Sequence, residues 1–241
     1  GSQETDTSYL NLRNGLNIGP WRLRNYSTLN TSDGRAEYNS ISTWIQRDIA
    51  ALRSQIMIGD TWTASDIFDS TQIRGARLYT DNDMLPASQN GFAPVVRGIA
   101  KSNATVIIRQ NGYVIYQSAV PQGAFEITDL NTASTGGDLD VTIKEEDGSE
   151  QRFTQPYASL AILKREGQTD VDVSVGELRD EDGFTPDVLQ AQILHGFSHG
   201  ITLYGGMQAA ENYGSAALGV GKDLGALGAI SFDVTHARAN F

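Results

Sequence analysis

The 241-residue chain has no cysteine, only six prolines and three histidines, and 18 basic residues against 29 acidic ones. Without cysteine there is no disulfide framework and no thiolate zinc site, and the redox state of the compartment stays open. A formal net charge of −11 with no basic cluster repels phosphate backbones, which argues against a nucleic-acid partner. No stretch approaches the roughly 18 consecutive apolar residues of a membrane helix, and the amino terminus lacks the charged and apolar regions of a signal peptide. Two classes remain: a chain in water, or a membrane β-barrel, whose strands carry a weaker signal. Gly1-Ser2 reads as a cloning remnant ahead of an excised piece.

Glycine is plentiful, with nine between Gly196 and Gly228, and each would cost a helix about 1 kcal/mol relative to alanine. Strands are expected there instead. QTDVDVSVGEL (residues 168–178) sets Val171, Val173 and Val175 against Asp170, Asp172 and Ser174, the period of two that makes one face of a strand apolar. GAISFDVTHA repeats it with Ile230, Phe232 and Val234, and turn residues separate segments of about ten residues, a spacing that suits an up-and-down barrel or a soluble meander. The window with Ile41, Ile45, Ile49, Leu52 and Ile56 also fits an amphipathic helix, so pattern alone leaves it undecided.

A Pro- and Gly-bearing linker, TDNDMLPASQNGFAP, separates this texture from another. After it, Asn111-Gly112 and Asp147-Gly148 each sit between alternating runs, the strongest short-range hairpin signal. Six short strands between Val95 and Gln155 predict a small β-sandwich, bounded by Pro86 and Pro94 before and Pro156 after.

No catalytic, metal or cofactor site emerges. His195 and His199 have zinc-helix spacing, but Gly196 stands where the glutamate would be and the segment is too glycine-rich for a helix. RDEDG (residues 179–183) opens like a calcium loop, yet Ala191 occupies the terminal ligand position. GVGKDLG (residues 219–225) matches no phosphate-cradle spacing and reads as glycine facing a crowded strand. Trp21, Trp44 and Trp62 lie near strand ends, where core packing and a membrane-interface girdle account for them equally well one by one.

The words around the linker carry a resemblance. Arg74-Gly75, Leu78, Thr80-Asp81, Met84-Leu85-Pro86, Gly91 to Pro94, Gly98 and Ala100, followed by Val120-Pro121, Gly123, Phe125, Ile127 and Asp129-Leu130, resemble in order the outer-membrane ushers of chaperone-usher pilus systems, most closely the type 1 fimbrial branch. Gln122 departs from the small residue or proline usual there. The likeness continues through YGGMQ and GVGKDLGALGAISFDVT, nearly the whole chain.

The resemblance implies an all-β chain: antiparallel transmembrane strands of a partial barrel in the bacterial outer membrane, interrupted by an inserted β-sandwich plug. Barrel strands would occupy residues 1–83 and 161–241, with the plug and its tethers at 84–160. It implies a gated pore that assembles and translocates pilus subunits delivered by periplasmic chaperones, with no cofactor and no covalent chemistry of its own. The tethers would include Met84, Leu85, Pro86, Gly91, Phe92, Pro94 and Pro156, and plug Arg97, Lys101 and Arg109 would meet acidic lumen positions. Residues 41–60 become a barrel hairpin, and residues 59–70 either a hairpin folded inward to retain the plug or an ordinary long turn.

About ten strands cannot close a pore that the resemblance sizes at roughly two dozen. The open sheet edges would recruit a second copy, close non-natively or need detergent. The competing reading is a soluble, secreted β-sandwich interaction or adhesin module.

Overall fold

A computed structural model describes residues 7–32, 34–85, 95–128, 130, 137–155, 160, 162–179 and 185–239. Five strands come first: β1 (Thr7–Ile18), β2 (Trp21–Ser32), β3 (Arg35–Ile49), β4 (Ser54–Trp62) and β5 (Gln72–Thr80). Six shorter ones follow: β6 (Val96–Ala100), β7 (Ala104–Gln110), β8 (Tyr113–Val120), β9 (Gly123–Ile127), β10 (Leu139–Lys144) and β11 (Glu150–Gln155). The last five are β12 (Thr169–Leu178), β13 (Asp187–Phe197), β14 (Ile201–Ala210), β15 (Tyr213–Asp223) and β16 (Ala229–Ala239). The ambiguous window is a hairpin: β3, a short 3-10 turn at Ala50–Leu52, and β4.

The first five and last five strands form one ten-stranded sheet, in the order β1-β2-β3-β4-β5-β12-β13-β14-β15-β16, with β1 and β16 at its edges. Every pairing in it is antiparallel. Strands β5 and β12 are neighbours although residues 81–168 lie between them, with Tyr79 opposite Asp172 and Ile73 opposite Leu178. In topology the insert is therefore an oversized hairpin loop, and the boundaries expected at residues 84 and 160 fall within it.

The insert is a sandwich of a four-stranded sheet, β11-β10-β7-β8, and a two-stranded one, β6-β9. Alternation explains its packing. In β7 the odd members of ATVIIRQ (Ala104, Val106, Ile108) turn inward to join Val96, Ile127, Leu139, Val141 and Ile143 in one apolar core. Asn111 and Gly112 both take positive φ (51° and 83°), as a two-residue hairpin turn requires. Gln155 Nε2 donates to the Val95 carbonyl at 3.1 Å, so the two ends of the sandwich lie side by side.

The ten-stranded sheet has the reverse polarity. In β12, Asp172 and Ser174 are buried while Val171, Val173 and Val175 are exposed. In β13, Gln190 and Gln192 are buried while Leu189 and Ile193 face outward. The outward set continues through Leu203 and Met207 of β14, Leu218 and Val220 of β15, and Ile230, Phe232 and Val234 of β16. A sheet in water hides its apolar side; one that hides its polar side and shows a continuous apolar one is built for a hydrocarbon surrounding.

Candidate functional site: the root of the insert

The polar face carries a chain of paired side chains that reaches the point where the insert departs. Arg22 on β2 forks onto Asp48 of β3, with its two bonds at 2.9 and 2.6 Å. On β4, Gln55 donates to Asp81 at 2.6 Å and accepts from the Tyr79 hydroxyl at 3.1 Å. Arg77 of β5 lies over the Tyr79 ring, 4.5 Å from its centroid, and pairs with Asp172 of β12 at 2.6 Å. The Arg77 and Asp172 side chains are only 20% and 9% exposed, so both charges depend on one another.

The outgoing and returning segments are tied together at this root. Asn82 Nδ2 donates to Asp170 at 2.8 Å, and Gln168 Nε2 donates to Asn82 and Asp170 at 3.1 and 3.2 Å. Lys164 closes the group with an ion pair to Asp170 at 2.9 Å. Asp81 begins a 3-10 turn at Asn82–Met84, its carboxylate accepting from the Asp83 amide at 3.0 Å.

The returning segment lies across the polar face itself. The Lys164 amide donates to Thr202 Oγ1 of β14 at 2.9 Å, the Gly167 amide to the Gly196 carbonyl of β13 at 2.8 Å, and buried Leu163 packs on Gly221 of β15. A side chain at Gly196 would collide with the Arg165 carbonyl at 2.0 Å, which explains a glycine where the chain crosses the strand. From there the Arg165 guanidinium reaches back into the sandwich and donates to the carbonyls of Thr128 and Leu130 at 3.3 and 3.2 Å. The insert is thus anchored on the polar side of the sheet.

From the opposite end of the strands, residues 63–71 between β4 and β5 also fold over this face. Gln190 donates to the Ala64 carbonyl at 2.8 Å, Gln192 to Asp66 at 2.7 Å, and the Phe68 ring lies on Gly206. The segment therefore passes over β12 to reach β13 and β14, the inward course that was one of its two sequence readings.

Of the expected tether residues, Met84 ends the 3-10 turn and Leu85 follows it, its amide donating to the Asn82 carbonyl at 3.0 Å. Pro86, Gly91, Phe92, Pro94 and Pro156 lie outside the described residues. Arg97 pairs with Glu126 on the adjacent strand at 2.7 Å, within the insert. Arg109 stands opposite Asp140 across β7 and β10, and the Lys101 amide donates to Glu145 at 3.0 Å. The Arg165 guanidinium ties the sandwich to the returning segment, and no local pattern marks it: its carbonyl partners lie some 35 residues away. His195 bonds Thr169 across β12 and β13 at 2.6 Å, and His199 occupies the β13–β14 turn with φ 64°.

Inside the insert, Glu145 pins the β6–β7 connection. Its carboxylate accepts the Ser102 hydroxyl and the Lys101 and Ser102 amides at 2.6, 3.0 and 3.0 Å, plus Gln151 at 2.7 Å. These donors, the Ser102 hydroxyl foremost, pull its pKa down to about 2.

Comparison with known proteins agrees with this geometry. The profile of the family described as outer membrane usher protein matches residues 9–241. The outer membrane usher protein LpfC of Salmonella typhimurium is 52% identical over 240 residues, 99% of this chain and 28% of LpfC. FimD of Escherichia coli K12 is 49% identical over 240 residues, 96% of this chain and 27% of FimD. Among solved structures, the crystal structure of the usher PapC translocation pore superposes with a TM-score of 0.56 at 33% identity, covering 99% of this chain and 53% of that one. PapC in the cryo-EM structure of the E. coli P pilus tip assembly intermediate PapC-PapD-PapK-PapG gives 0.58 at 34% identity, covering 93% and 29%. The chain spans a little over a quarter of the length of the curated relatives it matches. It belongs to the outer membrane usher family.

Proposed function

We propose that this chain is the gate-bearing section of an outer-membrane pore that assembles and translocates pilus subunits brought by periplasmic chaperones. Barrel strands at residues 1–83 and 161–241 form part of the wall, and residues 84–160, with their tethers, form the plug that closes the lumen at rest. The observation that carries this reading is the insert rooted on the polar face of a sheet whose other face is apolar and exposed. A soluble adhesin module gives no account of that inverted polarity.

On this reading the gate works by displacement, without covalent chemistry. The root ties at Asp81, Asn82, Lys164 and Asp170 hold both tethers to the wall. Arg165 holds the sandwich to its tether through carbonyl contacts that can break without disturbing the β5–β12 ladder. Pairing of Arg97, Lys101 and Arg109 with acidic wall positions would add to closure, since all three belong to the insert while the chain as a whole is acidic. Residues 63–71 would then border the plug.

The test is planar-bilayer conductance of the full-length parent with residues 84–160 replaced by a short flexible loop. A large, steadily open conductance is expected. Conductance indistinguishable from the intact protein would remove the plug assignment.

A further inference from the structure

The outward face of β13–β16 is not evenly apolar: it contains a groove of about 500 Å³. Gly205 on β14 lies at its floor, with its cross-strand partners Ile193 and Leu218 on either side and the Leu218 side chain leaning over the glycine, where a Cβ would stand 2.9 Å from Leu218 Cδ2. Leu203, Val220 and Phe232 extend the walls along the same face. At the end where β13 turns into β14, the apolar lining gives way to His195, stacked edge-on against Phe197 with centroids 4.6 Å apart. Beyond Val220 the next outward residue of β15 is Lys222, whose ammonium group bonds the His199 carbonyl in that turn. Its neighbour Asp223 is turned into its own loop, accepting the Gly225 amide at 3.1 Å.

We infer that this groove is a binding site for one acyl chain of an anionic phospholipid, with the headgroup phosphate at Lys222 and the His195–His199 corner. The occupant follows from charge and polarity together. A hydrocarbon-facing wall needs an aliphatic filler for its trough, and a chain of net charge −11 sets the Lys222 ammonium at the trough's end, beside the β13–β14 turn.

Brominated acyl chains quench tryptophan on contact, and Phe232→Trp places a reporter on the groove wall. The full-length parent carrying that substitution would be reconstituted in phosphatidylcholine bilayers with increasing brominated phosphatidylglycerol or brominated phosphatidylcholine, with the quenching of the unsubstituted protein subtracted. One well-placed cation predicts half-maximal quenching at about fivefold lower mole fraction for the anionic lipid. Lys222→Gln should bring the two lipids together, Lys222→Arg should keep them apart, and Gly205→Leu should weaken quenching by both. Equal quenching by the two lipids would show ordinary solvating lipid only and overturn the site. So would protection from both, the mark of a second copy on this face, and so would a preference that survives Lys222→Gln.

Discussion

At Gly219 a Cβ would stand 2.2 Å from Cζ of Tyr204, so the absence of a side chain on β15 lets the tyrosine ring lie across that strand. The Tyr204 hydroxyl then donates to Asp233 of β16 at 3.1 Å, joining β14 to β16 over the glycine. Gly219→Val should displace the ring and cost about 1–3 kcal/mol, read as a lower thermal midpoint in detergent. The glycine was legible in GVGKDLG as a crowded-strand position; the tyrosine above it was not, because strand register is absent from local sequence. Arg165 was harder still to see. Its partners are backbone carbonyls, which bear no residue-type signature, whereas Arg97 and Arg109 drew notice by charge alone and the structure sets each beside an acid of the insert itself. In the full-length parent, Arg165→Ala should raise channel openings roughly tenfold in planar-bilayer records, the equivalent of one lost charged hydrogen bond. Unchanged gating would reduce the contact to a structural one.

Among elements, the pair that matters most is β5 with β12. Arg77 and Asp172 face each other there, largely removed from water, so removing one partner leaves the other without its counter-charge. Asp172→Ala should cost about 3–5 kcal/mol, while replacing both by well-packed apolar residues should cost much less. Urea midpoints of the two variants in micelles would decide this. The insert's own elements predict a pH dependence. Glu145 has its folded pKa lowered from an ordinary 4.5 to about 2, so its contribution is complete above about pH 4.5 and fades as the pH falls towards 2. Glu145→Gln should flatten the acid dependence of insert unfolding across that window, followed by near-ultraviolet circular dichroism. These elements also show why the β3–β4 hairpin resisted a reading from pattern. Ile45 and Ile49 are four apart, a spacing that satisfies a helix and also keeps both on one side of a strand; Ile41 is the extra residue where the register against β2 shifts, and the turn at Ala50–Leu52 then hides the change of direction.

For the whole molecule, polarity divides the chain in two: a sandwich with an apolar interior and a sheet with a polar one. Both halves were visible as alternation, but alternation says only that faces differ, never which face is inside. The division predicts that the refolded chain partitions into detergent and stays dispersed only there, as monitored by analytical ultracentrifugation; a monodisperse species without detergent would refute the membrane-wall assignment.

The contact between Gln155 and the Val95 carbonyl bears on the order of assembly. Joining β5 to β12 across an unfolded stretch of residues 81–168 means closing a long, floppy loop, at an entropic cost that grows with its length. Once the sandwich has formed, its adjacent ends shorten that loop to the two tethers. The sandwich would then act as a folding clasp, setting the register of the ten-stranded sheet. A destabilised sandwich should therefore slow formation of the ten-stranded sheet, read as a slower refolding phase in detergent.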